Sequence, residues 1–270
     1  MKKILIFLLF FFLHAKIVDE IVAVVGNSPI TSYDVETLSK NLNIPKNKAL
    51  NILIDKKIIE NEIKKRGISV EDYEIEEAME NIAKRNNLTL FEFKNILAQR
   101  GELELFRKKL KENLLKQKLF NEIVNSKLKI SPQEVKNYYE THKDEFSVFK
   151  TIQVTKYEAN NPEILKRLFS NPYYDNPQIK VKTEVFSSKD LSLDKLFLFK
   201  NTKEGQFTPI VNDGLNYVTY YVSNKSGKIY LPFERVRSMI LNKLMQQKRN
   251  EILKDYFDKI KNSLDIKIYK

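Results

Sequence analysis

Residues 16–25, KIVDEIVAVV, and residues 264–269, LDIKIY, stand at opposite ends of a 270-residue chain, and together they decide how it folds. The closing segment alternates apolar and polar residues, the pattern of a half-buried strand. A lone strand leaves its backbone donors and acceptors unsatisfied, so this one needs a partner. The natural partner is the β-rich run at residues 17–25. The two chain ends therefore meet, and whatever lies between them is built onto a closed frame.

Between those ends the texture changes twice. From Ile30 to Phe146 the periodicity is helical. Four helix starts read as capping boxes, in which a hydroxyl accepts from orphan amides and an acid three residues on answers back. They are Thr31 with Asp34, Ser69 with Asp72, Thr89 with Glu92, and Ser131 with Glu134. Pro132 falls at a first helical position, and Gly67 and Gly101 sit where C-terminal caps belong. Leu50, Leu53, Ile54 and Ile58 mark one apolar stripe, and Ile75, Ala78, Met79 and Ile82 a second. Leu103, Phe106, Leu110 and Leu114 mark a third, extended by Leu115, Leu119 and Ile123. Residues 149–157, 179–186 and 217–222 then read as strands, separated by Asn-Pro turns and by one helix over 162–169. Past Ser226-Gly227 a long helix resumes at Pro232, with Val236, Ile240, Leu244, Ile252 and Tyr256 on its apolar side. The β-rich part is thus an insertion into a helical domain.

Composition removes most function classes. No cysteine is present, which excludes thiol and zinc-ribbon chemistry and any disulfide staple. Of two histidines, His14 lies in the leader, leaving His142 alone, a poor basis for a Ser/His/Asp hydrolase. Six glycines, none in phosphate-loop spacing, give no nucleotide site, and no cofactor is expected. The formal net charge is +12, but Lys and Glu are intermixed along helical stretches, which reads as a solvated surface rather than a nucleic-acid face.

The first fifteen residues, MKKILIFLLFFFLHA, have a basic start at Lys2 and Lys3, an apolar run from Ile4 to Leu13 and a small residue at Ala15. The run is about half of the ~20 residues a spanning helix needs. It reads as a cleaved export signal, with an uncleaved anchor as the alternative because Leu13 is large for its place in the cleavage box. No later segment is apolar enough to span a bilayer.

The residues now resemble a family. KIVDEIVAVVGNSPITSYDV, at 16–35, is similar to the mature start of SurA-like periplasmic chaperones. The similarity continues through 49–101, where the family's motifs read Leu53-Ile54-Asp55-Lys56, Gly67-Ile68-Ser69-Val70, and Asn87-Leu88-Thr89 with Phe93. ISPQEVKNYYETHKDEF at 130–146 resembles the linker helix leading to a parvulin-type prolyl isomerase domain, and 231–261 resembles the family's C-terminal helix. The resemblance covers 17–146 and 231–269. It implies an α+β fold: a mainly helical chaperone domain from the N- and C-terminal segments, with a small parvulin-like α/β domain inserted. The expected division is 1–15 signal peptide, 16–146 plus 227–270 chaperone domain, and 147–226 shortened parvulin-like domain.

The insert departs from the parvulin pattern. Gly205-Gln-Phe-Thr-Pro209 matches that family's turn, one residue short. The opening strand carries Thr151 where a histidine is usual, and Gly214-Leu-Asn-Tyr-Val218 carries Asn216 at the second histidine position. Thr151 and Asn216 are candidates to rebuild a hydrogen-bonded pair, and Phe199, Phe207 and Tyr217 are candidates for a proline slot, ordinary core being their alternative role. Weak or no isomerisation is expected.

The resemblance implies a periplasmic, ATP-independent holdase. It would bind unfolded outer-membrane or exported polypeptides in a helical cradle with an apolar floor and a charged rim. Met79 and Met239 are candidates for adaptable contacts there, or for filling gaps in the core. No nucleic-acid partner, no metal and no integral span after signal cleavage are expected, and the chain is a monomer or a segment-swapped dimer. Two alternatives stand beside it: an active parvulin-type isomerase, and a basic exported protein that binds anionic surfaces.

Overall fold

The computed structural model describes residues 20–264 and 266–269; the signal peptide expected at 1–15 lies outside them. The chain divides into two units, Met1–Leu128 with Gln247–Lys270, and Lys129–Gln246.

In the first, helical unit, strand β1 (Ile21–Val25) turns through Gly26-Asn27 into β2 (Ser28–Thr31). Val25 lies opposite Ser28, and Gly26 takes φ +57°, the left-handed geometry that a two-residue hairpin asks of glycine. On its other edge β1 takes β7 (Ile266–Ile268), with Val25 opposite Ile266 and Ala23 opposite Ile268. The chain ends therefore pair within one molecule, in the sheet order β2-β1-β7.

Helix α1 (Ser32–Leu42) starts on the Thr31–Asp34 capping box. Next come α2 (Lys46–Lys65), α3 (Asp72–Arg85), α4 (Leu90–Gln99) and α5 (Leu103–Asn125). The Thr89–Glu92 box forms as read. Ser69 does not cap α3, however. Glu71 does, in a box with Glu74, while the Ser69 hydroxyl donates to the Glu71 carboxylate and the Ser69 carbonyl accepts from Lys118. A carboxylate two residues closer to the helix offers the same acceptor, and it displaces the hydroxyl.

The unit holds two cores. One joins Ala23, Val25, Ile30, Val35, Ala49, Ile54 and Ile58, with Phe257, Ile260 and Ile266 against them. The other joins Val70, Ile75, Met79 and Leu97, with Phe93 and Phe106 in edge contact at 5.4 Å between ring centroids. Met79 is fully buried there, so it fills core and offers no contact surface.

The second, sheet unit opens with α6 (Pro132–Thr141), capped by Ser131 and Glu134, then a 3-10 turn (Lys143–Phe146). It continues through β3 (Ser147–Ala159), α7 (Pro162–Ser170), β4 (Lys180–Ser187), α8 (Leu193–Asn201), β5 (Val211–Asn212) and β6 (Tyr217–Tyr230). The last helix, α9 (Phe233–Ser263), contributes residues to both units. The four strands form an antiparallel sheet, β4-β3-β6-β5.

Successive residues of a strand point to opposite faces, and here the two faces carry different cores. Ile152, Val154, Val218, Tyr220 and Val222 pack with Phe199, Leu196, Val236 and Ile240, and Met239 packs against the same core. Ala159, Leu165, Leu168 and Ile179 form the other, with Tyr157, Phe207 and Tyr217 against it.

β6 runs eight residues beyond the strand read at 217–222, straight through Ser226-Gly227, and pairs with β3 as far as Tyr230 opposite Ser147. Gly227 holds φ +68°, and a Cβ there would stand 2.9 Å from that of Lys150, so glycine keeps the strand going where punctuation was expected. The unit's edges accordingly fall at Lys129 and Gln246, outside the 147–226 segment.

Candidate functional site

Helix α2 is apolar on two sides. Ile54 and Ile58 go into the core, while Ile59 and Ile63, seven and eleven positions past Ile52, each fall within about 20° of it on the opposite side at 100° per residue. That second stripe floors a groove of about 650 Å³ beside α5, with Leu115 as the facing apolar side chain. Charged residues edge it: Asp55, Lys56, Glu60 and Lys64 from α2, Glu112 and Lys116 from α5. Lys56 spans the mouth, 3.9 Å from Glu112 and 3.8 Å from Glu60. Ile52, at the lip, is 38% exposed.

A smaller cavity, about 290 Å³, lies where α2 meets the C-terminal part of α9, lined by Ile58, Ile59, Leu253 and Phe257. The Lys261 amine donates to Asp55 at 2.9 Å across its edge. Ile59 and Asp55 border both spaces.

The end of α2 is fixed by a polar lock. Glu62 is buried, and the Tyr256 hydroxyl of α9 donates to its carboxylate. The Arg66 guanidinium donates to Tyr256 at 2.8 Å and to Glu122 of α5. Burial, with the Glu62 hydrogen bond second, pushes the Tyr256 phenol up; the Tyr256 hydrogen bond is the largest influence holding Arg66 above its ordinary value.

In the sheet unit the five residues singled out from sequence do not converge. Phe199 is fully buried on one face, edge-on to Tyr220 at 5.1 Å. Phe207 lies on the other face, with ring centroids 5.5 Å from Tyr157, 5.5 Å from Phe169 and 5.0 Å from Tyr221; Tyr217 joins that side. One slot cannot contain all three. Thr151 stands opposite Ser187 and Ser226, whereas Tyr217, next to Asn216, stands opposite Ala159. From position 151 to position 159 is about 26 Å of strand at ~3.3 Å per residue, so Thr151 and Asn216 form no hydrogen-bonded pair. Asn216 instead shapes the turn into β6: its N–H donates to Asp213 at 2.9 Å and its amide to Glu158 at 2.8 Å.

A third cavity, about 260 Å³, is bordered by Lys200, Lys225 and Lys228. Their amines are engaged, Lys200 by the Glu145 carbonyl, Lys225 by the Lys200 and Thr202 carbonyls, and Lys228 by Asp144. Burial is the main cause that lowers Lys200 and Lys225. Among the described residues no His/Cys/Asp/Glu group could hold a metal, and no helix is long and apolar enough to cross a membrane.

The SurA N-terminal domain model matches residues 18–120, and the model described as Cj1289-like, C-terminal domain, matches 132–225. A solved chain from work describing PEB4 and Cj1289 as two structurally related SurA-like chaperones of Campylobacter jejuni is 30% identical. The match covers 93% of this chain and 99% of that one, at a TM-score of 0.67. The chain belongs to the SurA-like chaperones. The Chaperone SurA of Ralstonia nicotianae is 31% identical over 140 residues, and that of Escherichia coli 27% over 141, in each case under half of this chain. This SurA-like chain spans only 28% and 33% of those two relatives.

The sequence reading took α2 as carrying one apolar stripe. The second was legible at the same helical spacing, in Ile52, Ile59 and Ile63, and it is the one that faces the groove.

Proposed function

We propose that this SurA-like chain is a periplasmic, ATP-independent holdase, reached through the export signal read at 1–15. It binds extended apolar segments of unfolded outer-membrane or exported proteins in the groove between α2 and α5. The observation that carries this reading is the Ile52, Ile59, Ile63 and Leu115 floor under a rim of both charge signs. Apolar contact there is non-directional and roughly proportional to area, so it accepts many sequences. The mixed rim keeps the exposed apolar patch soluble between clients. Binding needs no nucleotide, because release follows from modest affinity alone.

The test is dilution of a urea-unfolded outer-membrane β-barrel protein into buffer with and without the chain from Lys16 onward, followed by light scattering. Suppression at near-equimolar ratio, weakened by Ile52→Lys, supports the reading. Undiminished scattering with the wild-type chain would overturn it.

A second reading rests on the aromatic cluster around Phe207, where Phe169 is 48% exposed. Half-open aromatic surfaces suit proline rings, and this one makes the sheet unit an accessory contact for proline-containing clients. Its test is NMR exchange on a proline peptide, with line broadening at sub-stoichiometric protein as the supporting result.

A further inference from the structure

The sheet unit ends on one side at β4, a strand that pairs with β3 through eight consecutive positions without a register shift. β4 reads KVKTEVFS, with no proline, glycine or bulge to blunt its free edge. Val181 and Val185 are 57% and 67% exposed. Like Thr183 they point to one face, and Lys182 and Glu184 point to the other.

The order of these residues is self-complementary. Consider a second copy laid antiparallel along β4 about a two-fold axis perpendicular to the sheet. Matching faces then requires the axis to pass through a residue. Centred on Thr183, the arrangement places Lys182 opposite Glu184 of the other copy twice, Val181 opposite Val185 twice, and Thr183 opposite itself. Moving the centre to position 182 sets two lysines directly against each other, and moving it to 184 does the same with two glutamates. Like charges directly opposite destabilise a ladder, and opposite charges and β-branched pairs stabilise it. Of these three registers only the one centred on Thr183 is therefore favourable.

We propose that β4 is a homodimerisation edge, on which a second copy of this chain pairs antiparallel about Thr183 to make one continuous eight-stranded sheet. In the single copy Lys182 and Glu184 hold each other along the strand at 2.8 Å; in the dimer each gains a partner across the ladder.

The test uses the chain from Lys16 onward, which retains every described residue. Sedimentation equilibrium is expected to give a reversible dimer. Lys182→Glu alone, or Glu184→Lys alone, places like charges opposite one another in a homodimer and weakens association about tenfold or more. Mixing the two single variants sets glutamates against lysines and restores a heterodimer, which a merely intramolecular role of this ion pair would not do. Because the chain has no cysteine, Thr183→Cys places one thiol at the axis, where facing residues about 4.5–5.5 Å apart oxidise to a linked dimer. A wild-type chain that stays monomeric to ~0.5 mM, above the affinities expected for a specific interface, would overturn the proposal. So would a dimer indifferent to both charge reversals and unlinked by Thr183→Cys.

Discussion

Tyr256 on α9 donates its hydroxyl to the buried carboxylate of Glu62 on α2, across 194 positions of sequence. A buried carboxylate stripped of a donor keeps its desolvation cost, so Tyr256→Phe should cost the helical unit about 1–3 kcal/mol. Urea unfolding followed by circular dichroism would read this as a lower midpoint at constant slope. The Tyr256 phenol is pushed above its ordinary value near 10, chiefly by burial. A raised pKa contributes stability that is complete below the unfolded value and lost as pH rises through the folded one. Stability should therefore decline above about pH 10, and less steeply in Tyr256→Phe.

Glu76 is one of the carboxylates of the same unit held below their ordinary value, with Glu36, Glu74 and Glu92. Lys94 and then Arg107 hold its carboxyl below the ordinary 4.5. A depressed carboxylate contributes stability that is complete above its unfolded value and lost as pH falls through the folded one. The unfolding midpoint should be level above about pH 5 and fall below it. Glu76→Gln should lower the neutral-pH midpoint and flatten the acid slope. An unchanged slope would mean that other carboxylates govern acid unfolding.

Groove substitutions should separate binding from folding. Ile52 is largely outside the core, so Ile52→Lys should alter stability by no more than roughly 0.5 kcal/mol. In the double variant Ile52→Lys, Ile63→Gln the floor loses two of its four apolar side chains. The concentration of chaperone needed to halve client scattering should then rise about threefold or more, in line with the lost apolar area. Equal protection by the double variant at unchanged stability would move client contact away from this groove.

How much was legible depended on the range of the interaction. Thr31, Thr89 and Ser131 cap helices as read because a capping box is decided within four residues. The pairing of β7 with β1 was legible because an alternating strand must find a partner and the run at 17–25 was the natural one. β6 was read only over 217–222, with Ser226-Gly227 as punctuation, because the residue that usually ends a strand here fits against Lys150, and that neighbour is set by register across the sheet. The slot failed for the same reason. Phe199, Phe207 and Tyr217 are all apolar in sequence, but strand alternation and the α8 position send Phe199 to the face opposite Phe207. α8 itself, with Ser192 as its cap, was passed over inside a β-rich region.

The two phenylalanines should behave differently. Phe199→Ala empties a fully buried site and should cost about 3–5 kcal/mol. Phe207→Ala removes edge contacts with three rings and should cost about 1–3 kcal/mol. Thermal unfolding of the sheet unit by near-UV circular dichroism would rank them. If Phe207→Ala keeps the unit folded yet abolishes any exchange broadening on a proline peptide, the aromatic cluster is the contact. Equal costs for both would mean that Phe207 is ordinary core.

The terminal strand offers the sharpest test of the closed frame. β7 occupies the edge of β1 through Val25 opposite Ile266 and Ala23 opposite Ile268, and the Tyr269 N–H donates to the Val22 carbonyl at 2.9 Å. Leu264 and Ile266 also pack on the core that holds Ala23 and Ile30. Removing residues 264–270 should cost roughly 2–5 kcal/mol, the scale of losing one well-packed aliphatic side chain with its cavity. It should also open the β1 edge, so the truncated chain should self-associate at concentrations where the intact chain does not. A synthetic LDIKIYK peptide added in trans should restore part of the lost stability, in proportion to its occupancy. Full stability in the truncated chain would mean that β1 and β2 hold without β7, and that the helices alone close the frame.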